Sequence, residues 1–98
     1  MAGIDKLIHE RARLLIMTYL ASAAKKKVSF NELQQKLEFS SGNLSVQLKK
    51  LDAADYVTIQ KTFKDNKPYT TAAITAKGAK ALQGYLAEME SLINRLKH

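Results

Sequence analysis

The stretch SSGNLSVQLKKLDAADYV, residues 40–57, opens like a capped helix and closes like the start of a strand. Ser40 is a good N-cap, since its hydroxyl can accept one of the orphan amides of a first helical turn. At about 100° per residue, Leu48 and Leu51 fall within about 40° of Leu44 and define one buried face through about Ala54. Gly42, Val46, Lys49 and Ala53 fall on the opposite side, with Asn43, Ser45 and Lys50 on its flanks. Small residues near the N-terminal end let a helix enter a major groove about 12 Å wide. The exposed backbone at Gly42 and the positive end of the helix suit a phosphate. Ser41, Asn43, Ser45 and Gln47 can donate or accept, and Lys49 and Lys50 can meet phosphates or a guanine. An ordinary solvated face has a similar composition, so the flanking segments decide.

Upstream, Ser29-Phe30-Asn31-Glu32 reads as a capping box, with Ser29 accepting the N3 amide and Glu32 reaching back to the cap. It predicts a short helix to about Leu37 that buries Phe30, Leu33 and Leu37, followed by a tight connection at Glu38-Phe39. Residues 5–23 carry a first helical pattern through Leu7, Ile8, Leu15, Tyr19 and Leu20, ended by Lys25-Lys26-Lys27. Downstream the period changes to two. Val57, Ile59, Lys61 and Phe63 alternate with Thr58, Gln60 and Thr62, as in a half-buried strand. The polar run 64–68 is a turn and 69–74 a second strand. Thr75 then caps a long helix to about Lys97. An isolated hairpin is marginal in water and must lean on the helices. The expected fold is α+β and mainly helical: a winged helix-turn-helix of three helices and a two-stranded wing, with a long C-terminal helix over 75–98, all in one domain, 1–98.

The chain has 98 residues and a formal net charge of +7, from 16 basic and 9 acidic side chains. The excess lies in residues 1–80, while the last 18 residues are neutral. Such a balance draws polyanions, with nucleic acid the first candidate. In the hairpin, Lys61, Lys64 and Lys67 face one acid, Asp65, so its tip is basic; lysines also protect an edge strand from aggregation. There is no cysteine, hence no disulfide and no thiolate metal site. No apolar run is long enough to span a membrane, and the N-terminal residues do not read as a signal peptide. A cytoplasmic protein is expected.

IHERARLLIMTYL (8–20), SFNELQQKL (29–37), GNLSVQLKKLDAADYV (42–57) and KPYTTAAITAKGAKAL (67–82) together resemble the small single-domain winged-helix transcriptional regulators of the MarR/ArsR-like superfamily. The resemblance covers about Ile4 to Leu86. It implies a homodimeric, sequence-specific regulator of transcription, with the helix from Ser40 as the recognition helix and the hairpin as the wing. Ser41, Gly42, Asn43, Ser45, Val46, Lys49 and Lys50 would then meet the major groove, and Lys61, Lys64 and Lys67 the backbone or minor groove. Two positions depart from the family. Asp55 stands where glycine is usual after the recognition helix, and Asp tolerates left-handed backbone better than most residues. Tyr69 stands where arginine is common, which removes one phosphate contact.

In the last helix, Leu82, Leu86, Met89, Ile93 and Leu96 are spaced 4, 3, 4 and 3, the a/d seam of helices packed at a shallow crossing. Tyr85 and Leu92 widen that stripe. Part of it serves the chain's own first helix, and the remainder fits a second copy. A twofold dimer would set two recognition helices about 34 Å apart. No motif for catalysis or for a cofactor is present, so a non-enzyme is expected. Asp5 and His9 share a helix face but make at most half a metal site, so no metal is expected. An effector pocket beside the dimer helices is left open. Two other functions compete: a winged helix that binds proteins, and an architectural protein that binds DNA without sequence preference.

Overall fold

The computed structural model describes residues 4–23 and 27–97. In chain order the elements are α1 (Arg11–Ala23), β1 (Val28–Ser29), α2 (Phe30–Leu37), α3 (Ser41–Ala53), β2 (Val57–Lys64), β3 (Lys67–Ile74) and α4 (Ala76–Leu96). The three strands form one antiparallel sheet in the order β1-β3-β2. Four helices and this sheet enclose one core around Ile8, Ile16, Met17, Leu20, Leu33, Leu44, Leu48, Leu51, Val57, Ala72, Leu82 and Tyr85. The expected α+β, mainly helical fold is the one observed.

The caps fall where the sequence places them. Ser29, Ser40 and Thr75 stand before α2, α3 and α4, and their hydroxyls accept from the amides of Glu32, Asn43 and Gly78. The reciprocal half of the first box is absent. Glu32 instead accepts from the Tyr19 hydroxyl at 2.5 Å, tying α2 to α1.

Four local expectations are corrected. The first helix starts at Arg11, not at residue 5, because two carboxylates divide the segment. Asp5 Oδ1 accepts from the amides of Leu7 and Ile8. The Glu10 carboxylate, immediately before α1, accepts from the Ala12 amide. Ile8 is nonetheless fully buried. The second correction is β1, which periodicity could not flag because it has only two residues, paired with Ala72 and Thr71. The third is the hairpin turn, which is Asp65-Asn66 alone, with both residues left-handed (φ 53° and 63°) and Lys64 opposite Lys67. That geometry matches the twist of the flanking strands. Pro68 therefore lies within β3, opposite Phe63. It is tolerated because β1 reaches only as far as Thr71, which leaves the far edge of β3 open beside it. The fourth is the outer half of β2: beyond Ile59 every residue is exposed, Phe63 among them. The helices end before that point, so alternation continues without a core to bury. Of the lysine run after α1, Lys25 and Lys26 lie outside the described residues.

The hinge between α3, the wing and α4 is closely stitched. Asp55 is left-handed, with φ 62°, and takes the geometry usually given to glycine. Its carbonyl accepts from the Thr75 hydroxyl at 2.6 Å, and the Tyr56 carbonyl accepts from the Thr75 amide at 3.0 Å. Gly78 allows this approach: a Cβ there would lie 2.1 Å from the Tyr56 carbonyl oxygen. The ITAKG motif thus sets where the last helix leaves the wing.

Candidate nucleic-acid interface

On α3, Leu44, Leu48 and Leu51 are buried and hold the helix against the body. Ser41, Gly42, Asn43, Val46, Lys49 and Lys50 are exposed, and Ser45 is half-buried. At Gly42 an added Cβ would meet nothing within 4 Å. The fold therefore does not require this glycine.

An open cleft of about 630 Å³ separates α3 from the wing, lined by Ser45, Lys49 and Asp52 on α3 and Ile59, Lys61 and Thr70 on the sheet. The structure thus brings Ser45 and Lys49 to one side of a channel and Lys61 to the other. Asp52 adds a carboxylate to the same wall, a local opposition to an anion that the lysines exceed in number. Among the described residues the single ion pair is Glu10–Arg13, at 3.7 Å. Lys49, Lys50, Lys61, Lys64 and Lys67 are all exposed and none of them is in an ion pair. Lys64 and Lys67 stand directly opposite each other across the ladder. Like charges so placed repel, and a bound anion would relieve the repulsion. Tyr69 takes part here: the Lys64 ammonium sits 5.0 Å from its ring centroid. The residue that replaces the family's arginine thus steadies a neighbouring lysine by cation–π attraction.

Two side chains of the expected surface are tethered from behind. Gln47 donates to Asn43 Oδ1 at 3.0 Å and accepts from Arg13 Nη1 at 2.7 Å. Arg13 Nε also donates to the Leu7 carbonyl at 2.6 Å. Arg13, missed in the sequence, fixes the N-terminal half of α3 against the segment before α1. Its partner is 34 residues away in sequence, and no local pattern marks such a bond. The segment before α1 is itself anchored, by Asp5 accepting from the Tyr56 hydroxyl at 2.5 Å and by His9 Nδ1 lying 2.9 Å from the Tyr85 hydroxyl. The bond to Asp5 raises the Tyr56 pKa to about 12, because ionising the phenol would forfeit the hydrogen bond it donates, with partial burial and the carboxylate's charge adding to the shift. Tyr19, bonded to Glu32, is shifted up for the same reason. Asp5 and His9, the half metal site weighed in the sequence, thus each bond a different tyrosine. Among the described residues no group of three or more His, Cys, Asp or Glu is placed to hold a metal ion.

The expected seam on α4 divides in two. Leu82 and Tyr85 are buried in the protomer's own core, and Met89 packs partly against it. Leu86, Ile93 and Leu96 are 46%, 50% and 87% exposed. Only the second part of the stripe is left without a partner in the protomer.

Comparison with known proteins defines the class. Residues 12–93 match the family described as the winged helix DNA-binding domain. The chain belongs to that family, and with it to the winged-helix regulators that its sequence resembles. It is 34% identical over 68 residues to MJ0432, an uncharacterized protein of Methanocaldococcus jannaschii, covering 69% of this chain and 74% of that one. A transcriptional regulator homologue from Pyrococcus horikoshii OT3 has the same fold, with a TM-score of 0.86, 26% identity, and coverage of 96% of this chain and 91% of that one. A mutant of S. aureus MepR bound to an oligodeoxyribonucleotide superimposes with a TM-score of 0.74 at 14% identity, covering 94% and 69% of the two chains. At that identity the likeness is one of fold. No helix among the described residues is long and apolar enough to cross a membrane.

Proposed function

We propose that this chain is a sequence-specific double-stranded DNA-binding regulator of transcription that acts as a homodimer. In this reading α3 enters the major groove through Ser41, Gly42, Asn43, Ser45, Val46, Lys49 and Lys50, and Lys61, Lys64 and Lys67 of the wing meet the backbone or minor groove. The observation that carries it is the set of five exposed lysines along α3 and the wing, none in an ion pair among the described residues, of which Lys49 and Lys61 face each other across one open cleft. A helix face kept small at Gly42, with no need from the fold, supports close approach to DNA.

The homodimer rests on α4. The helix has 21 residues, about 31 Å at 1.5 Å per residue, and its second half carries the exposed Leu86, Ile93 and Leu96. The radius of gyration is 14.7 Å, against about 13 Å for a compact domain of this size, so the helix projects from the body. A second copy meeting that ridge buries it. The neutral charge of the last 18 residues sets no barrier to such a meeting.

Fluorescence anisotropy at two salt concentrations tests the reading, with random-sequence duplex and a pool enriched from random DNA by binding. The expected result is an enriched pseudo-palindrome with a steep salt dependence, each phosphate-bound lysine contributing about −0.9 to the slope of log K against log salt. Equal affinity for every duplex would replace it with architectural binding, a second reading favoured by the lack of arginine on α3. No duplex binding at all would leave a protein-interaction module.

A further inference from the structure

Phe63 is the feature of the wing that neither the core nor the lysine row accounts for. It is 79% exposed and sits two residues short of the hairpin turn. Single exposed apolar residues are common, and a phenylalanine on an edge strand is normally a liability. Its placement here is particular. In the ladder, Val57 faces Ile74, Ile59 faces Ala72, Lys61 faces Thr70 and Phe63 faces Pro68. Side chains two apart share a face of the sheet. Ile59, Lys61 and Thr70 line the cleft beside α3, so Phe63 and Pro68 continue that face outward beyond it. Lys64 and Lys67 project from the other face, where Lys64 is drawn over Tyr69. The tip of the hairpin is thus a rigid apolar pair on one side and two cations on the other, held by a two-residue turn.

We propose that Phe63 is a specificity-determining wedge: it inserts from the minor groove against a base step while Lys64 and Lys67 hold the flanking phosphates. This rests on the DNA-binding reading above. The chemistry is that of apolar side chains that partly unstack a step and kink the duplex. Such a wedge reads no hydrogen-bond code. It selects steps that open at little cost, the pyrimidine–purine steps TA and CA/TG. The wing therefore contributes sequence preference through DNA deformability, in a hairpin whose position 69 is tyrosine and carries no guanidinium for the groove.

The test uses the full chain and the duplex enriched by binding, with 2-aminopurine placed in turn at each step flanking the α3 contact. Unstacking brightens this base. The wild-type protein is expected to brighten it at one step beneath the wing. Phe63→Ala should abolish the brightening and weaken binding about tenfold, within the range for aromatic–base contacts. Its salt slope should stay unchanged, since no charge is lost. Phe63→Leu, still an apolar wedge, should retain part of the signal. Lys64→Ala should lower the salt slope by about 0.9 yet keep the brightening at saturation. The exposure of Phe63 means that its substitution leaves the thermal midpoint in place. Tight binding without brightening, or brightening that survives Phe63→Ala, would overturn the wedge and leave the DNA reading intact. Loss of self-association in Phe63→Ala with unchanged brightening would overturn it in favour of a contact between copies. Failure of the wild type to bind any duplex would remove both readings together.

Discussion

Gly78 and Gly42 are both helical glycines with ordinary backbone angles, yet the structure predicts that replacing them with alanine acts in opposite directions. At Gly78 the new Cβ would lie 2.1 Å from the Tyr56 carbonyl oxygen and 2.9 Å from its carbon. Both belong to backbone, so no side chain can swing aside, and α4 must lift by about 1 Å to restore van der Waals contact. Such overpacking costs about 1–3 kcal/mol. The shift also strains the bonds from the Thr75 amide and hydroxyl to the carbonyls of Tyr56 and Asp55, worth about 1 kcal/mol each. Helix propensity returns at most about 1 kcal/mol. The net expectation for Gly78→Ala is a loss of about 3 kcal/mol, or roughly 12–24 °C in midpoint for a domain of this size. At Gly42 nothing stands within 4 Å of the new methyl, so only the propensity remains and Gly42→Ala should stabilise by about 0.5–1 kcal/mol. Urea denaturation followed by circular dichroism measures both changes at one protein concentration. A Gly78→Ala protein as stable as the wild type would refute the account of the α3–α4 hinge. Gly42→Ala carries a second expectation, weaker duplex binding despite the firmer fold, because its methyl would occupy the space left for the groove.

Other outcomes follow from the same geometry. Arg13→Ala should cost about 2 kcal/mol through the lost bonds to the Leu7 carbonyl and Gln47, and Arg13→Lys should not restore both, since an ammonium lacks the planar fork; paired urea curves check this. The Tyr56 phenol should ionise above the ordinary tyrosine range, seen by ultraviolet difference absorbance. Because its folded pKa is raised from 10.0 to about 12, its contribution to stability is complete below about pH 10 and lost as the pH rises through about 12. Tyr56→Phe should remove this alkaline dependence and cost about 1 kcal/mol at neutral pH, while an unchanged profile would deny the bond to Asp5. Ile93→Glu should abolish self-association in sedimentation without lowering the stability of the protomer, because the side chain is half exposed on the projecting end of α4.

Much of the architecture is legible in the chain because it is written locally. A serine or threonine hydroxyl three residues from the amide it caps marks α2, α3 and α4, and the spacing of Leu44, Leu48 and Leu51 fixes which face of α3 turns inward. The change to a period of two at Val57 marks the wing. The candidate surface follows from these, since whatever lies opposite a buried face is exposed. The division at Asp5 and Glu10 was less visible, because a carboxylate inside a helical pattern looks like ordinary surface until its oxygen takes a backbone amide.

By itself, then, the sequence determined the order of the helices and the hairpin, the winged-helix class and the basic, small-sided face of α3. Each depends on neighbours within a few residues, where backbone geometry leaves little choice. Tertiary structure alone decided that Arg13 anchors Gln47 across 34 residues, that Lys61 joins Lys49 at one cleft, and that Phe63 stands beyond the core while Leu82 is absorbed into it. Those outcomes turn on how far each helix extends over the sheet and along α4. Alternation and heptad spacing give the direction of a side chain, but only packing determines whether anything is there to meet it.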